Sequence, residues 1–309
     1  MDKGARIYVA GHKGLVGSKI IKILKDRGFT NLITRTRRAL DLTCQARVEK
    51  FFESEKPEYV FLAAAKVGGI KANIFYPAQF IYENLTIQNN IIHSAYLSGV
   101  KKLLFFGSSC SYPRLCLQPM KEEKLLSGYL EPTNKPYAIA KIAGMEMSEA
   151  YNKQYQTNFI SCVLANVYGP GDNFDLSTSH VIPGLIRKFH EAKENKLDNI
   201  TVWGSGKCRR EFLYVDDAAY GAIFLMENYI EPGIINLGYG KDASIGELVD
   251  IIKKIIGYSG NIIFDISKPD GIPRKLLDVS RLSRLGWQAK TALGEGIRNT
   301  YEWYLRFKK

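Results

Sequence analysis

The sequence predicts an α/β protein built on a doubly wound parallel sheet, with a smaller α/β lobe beside it. Strand and helix signals alternate through the first half of the 309 residues, as they do in chains of βαβ units. A glycine-rich segment joins the first predicted strand to the first predicted helix. After the turn residues at 168–171 the alternation gives way to shorter mixed elements, which indicates a second lobe.

Hydrophobic spacing assigns the elements of the first half. Short apolar runs predict strands at residues 6–10, 31–34, 59–65, 102–106 and 159–167. Apolar residues at helical intervals predict helices at residues 15–27, 45–55, 78–98 and 137–154. The run at 59–65 is apolar throughout, as expected for a parallel strand that is covered on both faces. This order predicts a Rossmann-type dinucleotide-binding domain over residues 1–166.

Residues 167–309 are assigned to a smaller, substrate-binding lobe. Within them, a segment of about 211–238 repeats the strand–helix–strand order of the first half and is expected to return to the first sheet. Helices predicted at 244–256 and 293–307 stay with the smaller lobe. Doubly wound proteins bind ligands outside the carboxyl ends of their strands, so we expect the site in a cleft between the lobes.

The composition, with 46% hydrophobic and 24% charged residues, is that of an ordinary globular chain. No apolar run is long enough to span a bilayer and a strand begins near residue 6, so we expect a cytoplasmic protein without a membrane segment. The five cysteines include no CxxC pair, and the four histidines lack metal-ligand spacing. We therefore expect neither a disulfide framework nor a bound metal.

The formal net charge is +12, and basic residues cluster at 35–38, 207–210 and 306–309. Such charge suits either a nucleic acid or a phosphorylated small molecule. The clusters are short, and no zinc finger, RNA-binding motif or extended basic helix accompanies them. We therefore expect no nucleic-acid partner, and we assign many of the individual lysines to solvated surface.

A dinucleotide site is predicted where the first strand meets the first helix. The connecting segment reads Gly11, His12, Lys13, Gly14, Leu15, Val16 and Gly17. Glycines at this place permit a tight turn and let backbone N–H groups approach a pyrophosphate at the helix N-terminus. The alternative is a purely structural turn, which the strand–turn–helix context disfavours.

NADP is the predicted dinucleotide. An acidic residue about 20 residues after the glycines would select NAD by binding the ribose 2′-hydroxyl. This sequence has Arg37 at that place, within an arginine-rich run that suits a 2′-phosphate, and Lys13 is a plausible helper. Asp41 is a candidate for the adenine edge, with an exposed loop carboxylate as the alternative.

Ser108, Tyr137 and Lys141 predict a site that handles a ketone. Tyr137 and Lys141 are four residues apart, so they lie on one helix face, where an ammonium beside a phenol favours the phenolate. Ser108 follows a predicted strand and would add a second hydrogen bond to the same carbonyl oxygen. A YxxxK pair is common by chance, so this prediction depends on the neighbouring dinucleotide site.

Together these motifs resemble the extended short-chain dehydrogenase/reductase family. The motifs read AAAKVGG at 63–69, GSSCSYP at 107–113, PTNKPYAIAK at 132–141, SHVIP at 179–183 and KPDG at 268–271. They are similar to those of family members that act on GDP-4-keto-6-deoxy sugars. The resemblance implies an NADPH-dependent 3,5-epimerase/4-reductase that converts GDP-4-keto-6-deoxy-D-mannose to GDP-L-fucose.

The resemblance also implies the catalytic roles. Cys110 and His180 would exchange protons at C3 and C5, which the 4-keto group acidifies. Ser108 and Tyr137 would stabilise the enolate oxygen, and Tyr137 would then protonate O4 while NADPH delivers hydride to C4. Lys141 would hold the nicotinamide ribose and bias Tyr137. Which of Cys110 and His180 is the base or the acid at each carbon stays open.

Binding residues follow from the same resemblance. Besides the glycine segment, cofactor contacts are expected from Arg37, Asp41, Leu42, Ala64, Gly107, Ser108, Tyr137, Lys141, Leu164, Asn166, Val167 and His180. Contacts to the GDP-sugar are expected from Ser108, Ser109, Cys110, Asn166, Lys188, Trp203, Arg210 and Asp270. Of these, Lys188 and Arg210 would neutralise the pyrophosphate, and Trp203 would pack on the sugar or the base.

Several alternatives stay open. Cys110 could be a buried structural thiol, His180 a hydrogen-bonded core or surface histidine, and Trp203 ordinary core. The enzyme could be a C4-reductase, with or without epimerase activity, on a related GDP-4-keto-6-deoxy sugar such as a heptose or a dideoxy sugar. A non-catalytic NADP-binding regulatory protein would have no use for the full catalytic set. The helices at 78–98 and 137–154 resemble a pair that forms the dimer interface of relatives, so we expect a homodimer.

Overall fold

The computed structural model describes residues 1–231, 233–268 and 270–307. Its strands, in chain order, are β1 (Ile7–Ala10), β2 (Leu32–Ile33), β3 (Tyr59–Leu62), β4 (Lys102–Ser108), β5 (Phe159–Leu164), β6 (Asn166–Tyr168), β7 (Asn199–Trp203), β8 (Arg209–Tyr214), β9 (Ile234–Leu237), β10 (Asp242–Ser244), β11 (Asn261–Asp265) and β12 (Arg274–Lys275). The helices are α1 (Leu15–Asp26), α2 (Gln45–Glu55), α3 (Ile70–Phe75), α4 (Pro77–Leu97), α5 (Lys135–Tyr155), α6 (Val181–Glu194), α7 (Val215–Asn228), α8 (Ile245–Ile256), α9 (Ser280–Arg284) and α10 (Leu293–Phe307). Short 3₁₀ turns form at Ser109–Ser111, Glu122–Lys124 and Pro132–Asn134.

The larger sheet has six parallel strands in the order β2-β1-β3-β4-β5-β9. The chain moves outward from β1 to β2 and then returns to the other side of β1, so the order reverses between β1 and β3. Such a reversal opens a crevice at the carboxyl ends of the strands, where doubly wound proteins bind ligands. The predicted doubly wound parallel sheet of the Rossmann type is confirmed.

Helices cover both faces of this sheet. On one face α1 packs against α7, and on the other α4 packs against α2 and α5. The apolar residues of β1, β3, β4 and β5 are almost all buried, because helices cover them from both sides. Burial of these residues makes the sheet a rigid support for side chains at its carboxyl edge.

A second, smaller lobe has its own hydrophobic core. One of its sheets has the order β10-β8-β12, with β6 paired to β8, and a separate pair joins β7 to β11. Helices α6, α8 and α10 pack around these strands, with a buried cluster that includes Ile186, Phe189, Leu248 and Ile297. Both lobes therefore contribute walls to the space between them.

The structure divides two predicted segments between the lobes. The apolar run 159–167, predicted as one strand, is two strands: β5 belongs to the larger sheet and β6 to the smaller lobe. Hydrophobic spacing did not reveal the break at Ala165, because apolar residues continue on both sides of it. In the segment of about 211–238, α7 and β9 lie with the larger sheet, whereas β8 lies in the smaller lobe. The proposed boundary between the domains stays a prediction.

Within the described ranges, no helix has the length and apolarity needed to cross a membrane. The same part of the chain holds no group of three or more histidine, cysteine, aspartate or glutamate side chains placed to bind a metal ion. All five cysteines are free thiols, and Cys162 is the buried one.

Candidate active site

The glycine segment forms a tight loop between β1 and α1. Gly11 has a φ of +83°, and a Cβ atom there would lie 2.7 Å from the Ala64 backbone nitrogen. A Cβ on Gly17 would lie 2.3 Å from the Gly11 carbonyl oxygen. Side chains at these two positions would therefore collide with backbone. The glycines let α1 approach β1 and β3 at the point where the strand order reverses.

The N-terminus of α1 has the features of an anion site. The helix starts at Leu15 after Gly14, and no side chain within the described residues caps its first turn. The N–H groups of that turn and the positive end of the helix dipole are thus available to a phosphate. Gly14, Leu15 and Val16 line the adjoining cavity. This cradle fits the pyrophosphate of a dinucleotide.

Basic side chains lie beyond β2, where the sequence predicts the 2′-phosphate site. Arg37 is 76% exposed and its contact with Glu83, 3.5 Å, is a loose surface ion pair. Arg35 is held by Glu55 and by the Thr34 carbonyl. Arg37 is therefore the more available cation for a phosphate, and Lys13 in the glycine loop is also exposed.

Asp41 is engaged by its own loop. Its Oδ1 accepts hydrogen bonds from the Thr43 amide at 3.0 Å and the Thr43 hydroxyl at 2.8 Å. These hydrogen bonds hold the pKa of the Asp41 carboxyl below its usual range. The neighbouring Leu42 carbonyl accepts from Asn90. The adenine contacts of Asp41 and Leu42 stay predictions.

Ser108, Tyr137 and Lys141 meet at the end of β4. Ser108 is the last residue of the strand, and its hydroxyl is placed to donate a hydrogen bond to the Tyr137 phenol oxygen. Tyr137 and Lys141 lie on the same face of α5, one turn apart. A Cβ on Gly107 would lie 2.7 Å from the Met145 sulfur, so glycine at that position lets α5 approach β4.

Lys141 is hydrogen-bonded to the backbone and lies near the Tyr137 ring. Its ammonium donates to the Phe106 carbonyl at 2.9 Å and lies 5.9 Å from the centre of the Tyr137 ring, above the ring face. Burial raises the pKa of Tyr137 above its usual value, and the hydrogen bond from Ser108 offsets this only in part. The effect of the Lys141 ammonium on Tyr137 stays a prediction. A raised pKa suits a phenol that donates a proton. Burial also lowers the pKa of Lys141, to about 8.

Cys110 lies in the 3₁₀ turn that follows β4. Its amide donates to the Ser108 hydroxyl at 3.3 Å, which fixes the turn. The Cys110 sulfur accepts from Asn134 Nδ2 at 3.1 Å and from Lys275 Nζ at 3.4 Å. The thiol is partly exposed to the cavity, unlike the buried Cys162. The interpretation of Cys110 as a buried structural thiol is therefore wrong.

His180 lines the same cavity as Cys110, from the start of α6 in the smaller lobe. It is the residue before α6, and its loop is joined to the segment after β3 by the Gly69 amide, which donates to the Thr178 carbonyl. The His180 side chain is accessible from the cleft. The pKa of His180 lies below its usual value, mainly because the imidazole is desolvated and secondarily because Lys275 is positively charged.

One cavity of about 380 Å³, here called the catalytic cavity, brings the catalytic residues together. Its lining includes all five of the predicted catalytic residues, Ser108, Cys110, Tyr137, Lys141 and His180. Other predicted site residues in its lining are Gly14, Leu15, Val16, Gly107, Ser109, Leu164, Asn166, Val167 and Arg210. Predicted cofactor residues outside its lining are Gly11, His12, Lys13, Gly17, Arg37, Asp41, Leu42 and Ala64.

A second cavity of about 460 Å³, here called the recognition cavity, lies in the smaller lobe. It shares Asn166, His180 and Arg210 with the catalytic cavity, so the two are continuous. The remaining predicted substrate residues line it: Lys188, Trp203, Arg210 and Asp270. The interpretation of Trp203 as ordinary core is wrong, because 59% of Trp203 is exposed.

Protein contacts hold most of the groups in the recognition cavity. Lys188 donates to the Thr201 carbonyl, and burial lowers the pKa of Lys188. The Asp270 carboxylate accepts from the amide and the hydroxyl of Ser205, both at 2.7 Å. Arg210 donates to the Asp270 carbonyl oxygen at 3.2 Å. Basic groups therefore line a space large enough for a phosphorylated ligand.

Polar residues of the catalytic cavity that the sequence analysis missed include Asn134, Asp172 and Lys275. Lys275 is 7% exposed and approaches the Cys110 sulfur. Asn134 approaches the same sulfur. Burial raises the pKa of Asp172 to about 7. The inward position of Lys275 alternates with the exposed Arg274 in β12, but a strand of two residues gives too short a pattern to detect.

Comparison with known proteins places the chain in a family. A model of the NAD dependent epimerase/dehydratase family matches residues 7–238. The chain belongs to that family. The predicted resemblance to extended short-chain dehydrogenases/reductases is confirmed.

Two curated relatives within this family are similar along nearly their whole length. The chain is 54% identical over 305 residues to GDP-L-fucose synthase 1 of Arabidopsis thaliana, covering 99% of this chain and 94% of the relative. It is 52% identical over 309 residues to the GDP-L-fucose synthase of Escherichia coli (strain K12), covering 97% of this chain and 96% of the relative.

A solved structure from Campylobacter jejuni shares both fold and sequence. It is a GDP-mannoheptose C4 reductase with NADP bound. Its TM-score is 0.91 and its sequence identity 44%, over 99% of each chain. The likeness to this structure extends over both lobes.

Proposed function

We propose that the protein is a GDP-L-fucose synthase, which epimerises GDP-4-keto-6-deoxy-D-mannose at C3 and C5 and reduces it at C4. One observation carries this proposal: Cys110 and His180 line the same cavity as Ser108, Tyr137 and Lys141. Reduction of a ketone needs only the last three residues. The additional pair supplies two proton-transfer groups, which the inversion of a carbon beside a ketone requires. Identities of 52% and 54% to GDP-L-fucose synthases support the substrate.

The proposed cofactor is NADP, which when bound as NADPH supplies the hydride that reduces C4. The backbone of the Gly11 loop and the first turn of α1 would hold the pyrophosphate. Arg37, which follows β2, and Lys13, in the glycine loop, are both exposed and would bind the 2′-phosphate. The Lys141 ammonium, near the Tyr137 ring, would hold the nicotinamide ribose. The NADP-bound C4 reductase of C. jejuni supports this choice.

Epimerisation begins with removal of a proton from C3 or C5. The electron pair of the broken C–H bond moves toward C4, and negative charge develops on O4. Ser108 and Tyr137 both place hydroxyl groups at the carboxyl end of β4, where they can donate to O4 and stabilise that charge. Cys110 and His180 then exchange protons with the carbon, one from each face, and the net result is inversion.

Reduction uses the same hydroxyl pair in a second way. When C4 is reduced, O4 carries the negative charge of an alkoxide and needs a proton. Tyr137 holds one, because burial raises its pKa and keeps the phenol neutral. Transfer of that proton leaves a phenolate, which the Ser108 hydroxyl and the nearby positive charge of Lys141 stabilise. The raised pKa therefore suits Tyr137 to its role as the acid.

The recognition cavity would bind the GDP part of the substrate. Lys188 and Arg210 supply positive charge for the pyrophosphate, and Arg210 lies at the junction with the catalytic cavity. Trp203 offers an exposed ring for stacking. Asp270 holds the turn beside Trp203 through Ser205 and retains acceptor capacity for a base or ribose hydroxyl.

A C4-reductase acting on a related GDP-4-keto sugar is the second candidate. The likeness to the C. jejuni GDP-mannoheptose C4 reductase, at 44% identity, favours it. That enzyme class shares the hydride-transfer chemistry but requires room for an additional carbon on the sugar. Identity to the GDP-L-fucose synthases is higher, at 52% and 54%, so the hexose substrate is preferred.

The test is a direct assay of the purified protein. With NADPH and GDP-4-keto-6-deoxy-D-mannose, we expect absorbance at the nicotinamide band to fall and GDP-L-fucose to accumulate. The matched reaction with the corresponding GDP-4-keto-heptose should be slower. Turnover of the heptose alone would favour the second candidate, and absence of NADPH oxidation with either sugar would refute both.

The proposal includes a homodimer that pairs through α4 and α5. These helices pack side by side, and their outer surfaces expose Tyr82, Leu97 and Tyr155. Exposed aromatic and aliphatic side chains on a long helix pair suit a dimer interface. Light scattering should give twice the chain mass of 34.8 kDa, and the double variant Tyr82→Glu with Leu97→Glu should have the mass of a single chain.

The five free thiols agree with a reducing compartment such as the cytoplasm, which we propose as the location.

A further inference from the structure

We propose that Lys275 is a positioning residue for epimerisation, which with Asn134 holds the Cys110 sulfur and places a positive charge close to the two proton-transfer groups, Cys110 and His180. The inference rests on the proposed function, in which Cys110 and His180 exchange protons with the substrate. Lys275 comes from β12 in the smaller lobe, 165 residues after Cys110. It therefore joins the two lobes at the point where the chemistry takes place.

Two hydrogen-bond donors converge on the Cys110 sulfur. Lys275 Nζ lies 3.4 Å from it and Asn134 Nδ2 lies 3.1 Å from it. A thiolate accepts hydrogen bonds more strongly than a thiol, and the thiolate is the form of cysteine that can remove a proton. The two donors also limit rotation of the side chain, so that the sulfur keeps a fixed direction in the cavity.

The burial of Lys275 is unusual for a lysine. It is 7% exposed, and no ion pair within the described residues joins it to a carboxylate. Lysines are almost never so buried unless a partner compensates the charge. The nearest hydrogen-bond partner here is the Cys110 sulfur. Such an arrangement is costly for stability and is typical of a functional group.

Lys275 also acts on the other proton-transfer group. Its positive charge lowers the pKa of His180, after the larger effect of desolvation. A single cation therefore donates a hydrogen bond to the Cys110 sulfur and opposes positive charge on His180. Removal of the cation should alter both partners of the proton exchange, while Ser108, Tyr137 and Lys141 keep their contacts on β4 and α5.

Arg274 provides a matched control in the same strand. It precedes Lys275, is exposed, and pairs with Asp242 on the outer side of β12. The register of β12 against β8 sets Lys275 opposite Arg210 and Arg274 opposite Arg209. Loss of Arg274 removes one positive charge from β12 without removing any from the catalytic cavity.

The experiment separates epimerisation from reduction. The full-length protein is incubated in D₂O with oxidised NADP and GDP-4-keto-6-deoxy-D-mannose, so that reduction cannot proceed. Deuterium at C3 and C5 of the sugar is then followed by NMR. We expect Lys275→Met to lower the exchange rate by roughly 10- to 100-fold, the loss expected for a hydrogen bond to a charged group. Lys275→Arg should retain most of the rate, and Arg274→Met should leave it unchanged.

Further readouts distinguish positioning from folding. NADPH binding, measured by its fluorescence, and the melting temperature with cofactor should stay close to wild type in Lys275→Met if the fold is intact. Iodoacetamide should alkylate Cys110 more slowly in Lys275→Met than in the wild-type protein at neutral pH, because the thiolate is the nucleophile. If Lys275→Met misfolds, the exchange rate of Lys275→Gln, which keeps a donor but no charge, decides in its place.

Each outcome bears on one proposal. A wild-type exchange rate in Lys275→Met would overturn the role of Lys275. If Lys275→Met misfolds, a wild-type exchange rate in folded Lys275→Gln would overturn it instead. An equal loss of exchange rate in Arg274→Met would also overturn that role, since the loss would then come from a general disturbance of β12. If the wild-type protein itself shows no exchange at C3 or C5, the proposed function fails, whatever the variants do.

Discussion

The catalytic and recognition cavities hold their polar groups in different ways. In the catalytic cavity, Ser108 is the end of a buried strand, and Lys141 is fixed to the Phe106 carbonyl. In the recognition cavity, Lys188 and Asp270 are held by neighbours near the surface, and Trp203 is 59% exposed. The first group is already arranged for a reaction, whereas the second must exchange protein contacts for ligand contacts. Substitutions in the first should therefore lower kcat, and substitutions in the second should raise KM.

The largest effect is expected from Tyr137→Phe, which removes the proton that O4 receives. NADPH oxidation should fall by roughly 100- to 10,000-fold in kcat, the usual contribution of a general acid. Exchange of deuterium at C3 and C5 should persist at a reduced rate, because Ser108 still donates to O4. The matched control is Tyr129→Phe, since Tyr129 is 96% exposed and lines neither cavity. Retention of wild-type kcat in Tyr137→Phe would contradict the role of this phenol.

Arg37→Asp tests the nucleotide preference. The aspartate should repel a 2′-phosphate and accept a hydrogen bond from a 2′-hydroxyl. We expect KM for NADPH to rise by roughly 10- to 100-fold, as for loss of one hydrogen bond to a charged group, with little change for NADH. Initial rates with each cofactor measure the difference. An equal rise for both cofactors would show that Arg37 does not recognise the phosphate.

Lys188→Met tests whether the recognition cavity contributes binding alone. Loss of one charge near the pyrophosphate should raise KM for the GDP-sugar about tenfold while kcat stays near wild type. Lys193→Met is the matched control on α6, because the Lys193 ammonium donates to the Ile256 carbonyl, away from the cavity. A fall in kcat with unchanged KM would place Lys188 among the catalytic groups and weaken the contrast between the cavities.

The smallest effect is expected from pH. Burial lowers the pKa of Lys141 to about 8, so its ammonium is present below that pH and is lost as the pH rises through it. If the ammonium is required, kcat should decline by about half near pH 8 and continue to fall. Lys141→Arg stays charged, so its remaining activity should lack this alkaline decline. A pH profile of kcat for the two proteins makes the comparison, and identical alkaline limbs would contradict the requirement.

The sequence predicted most of the catalytic cavity because its residues belong to short motifs at strand ends. Ser108 and Cys110 follow one apolar strand directly, and Tyr137 and Lys141 are one helical turn apart. Local spacing was therefore sufficient to group them. His180 could be assigned only through the family resemblance, since nothing in its neighbourhood indicates which strand it would face.

Interactions between distant segments escaped the sequence analysis. Lys275 and Cys110 meet because the parallel pairing of β12 with β8 turns Lys275 inward. The raised pKa of Tyr137 could not be foreseen either, because it depends on burial by distant segments. The division of residues 159–167 into β5 and β6 depends on two different partner strands, β9 and β8.

The central claim is that one cavity carries out both epimerisation and reduction. The most direct test is a single reaction in D₂O with NADPH and GDP-4-keto-6-deoxy-D-mannose, followed by NMR of the isolated product. We predict GDP-L-fucose that carries deuterium at both C3 and C5 and protium at C4. A C4-reduced product that keeps the manno configuration and has no deuterium at C3 or C5 would contradict the claim and identify the protein as a reductase alone.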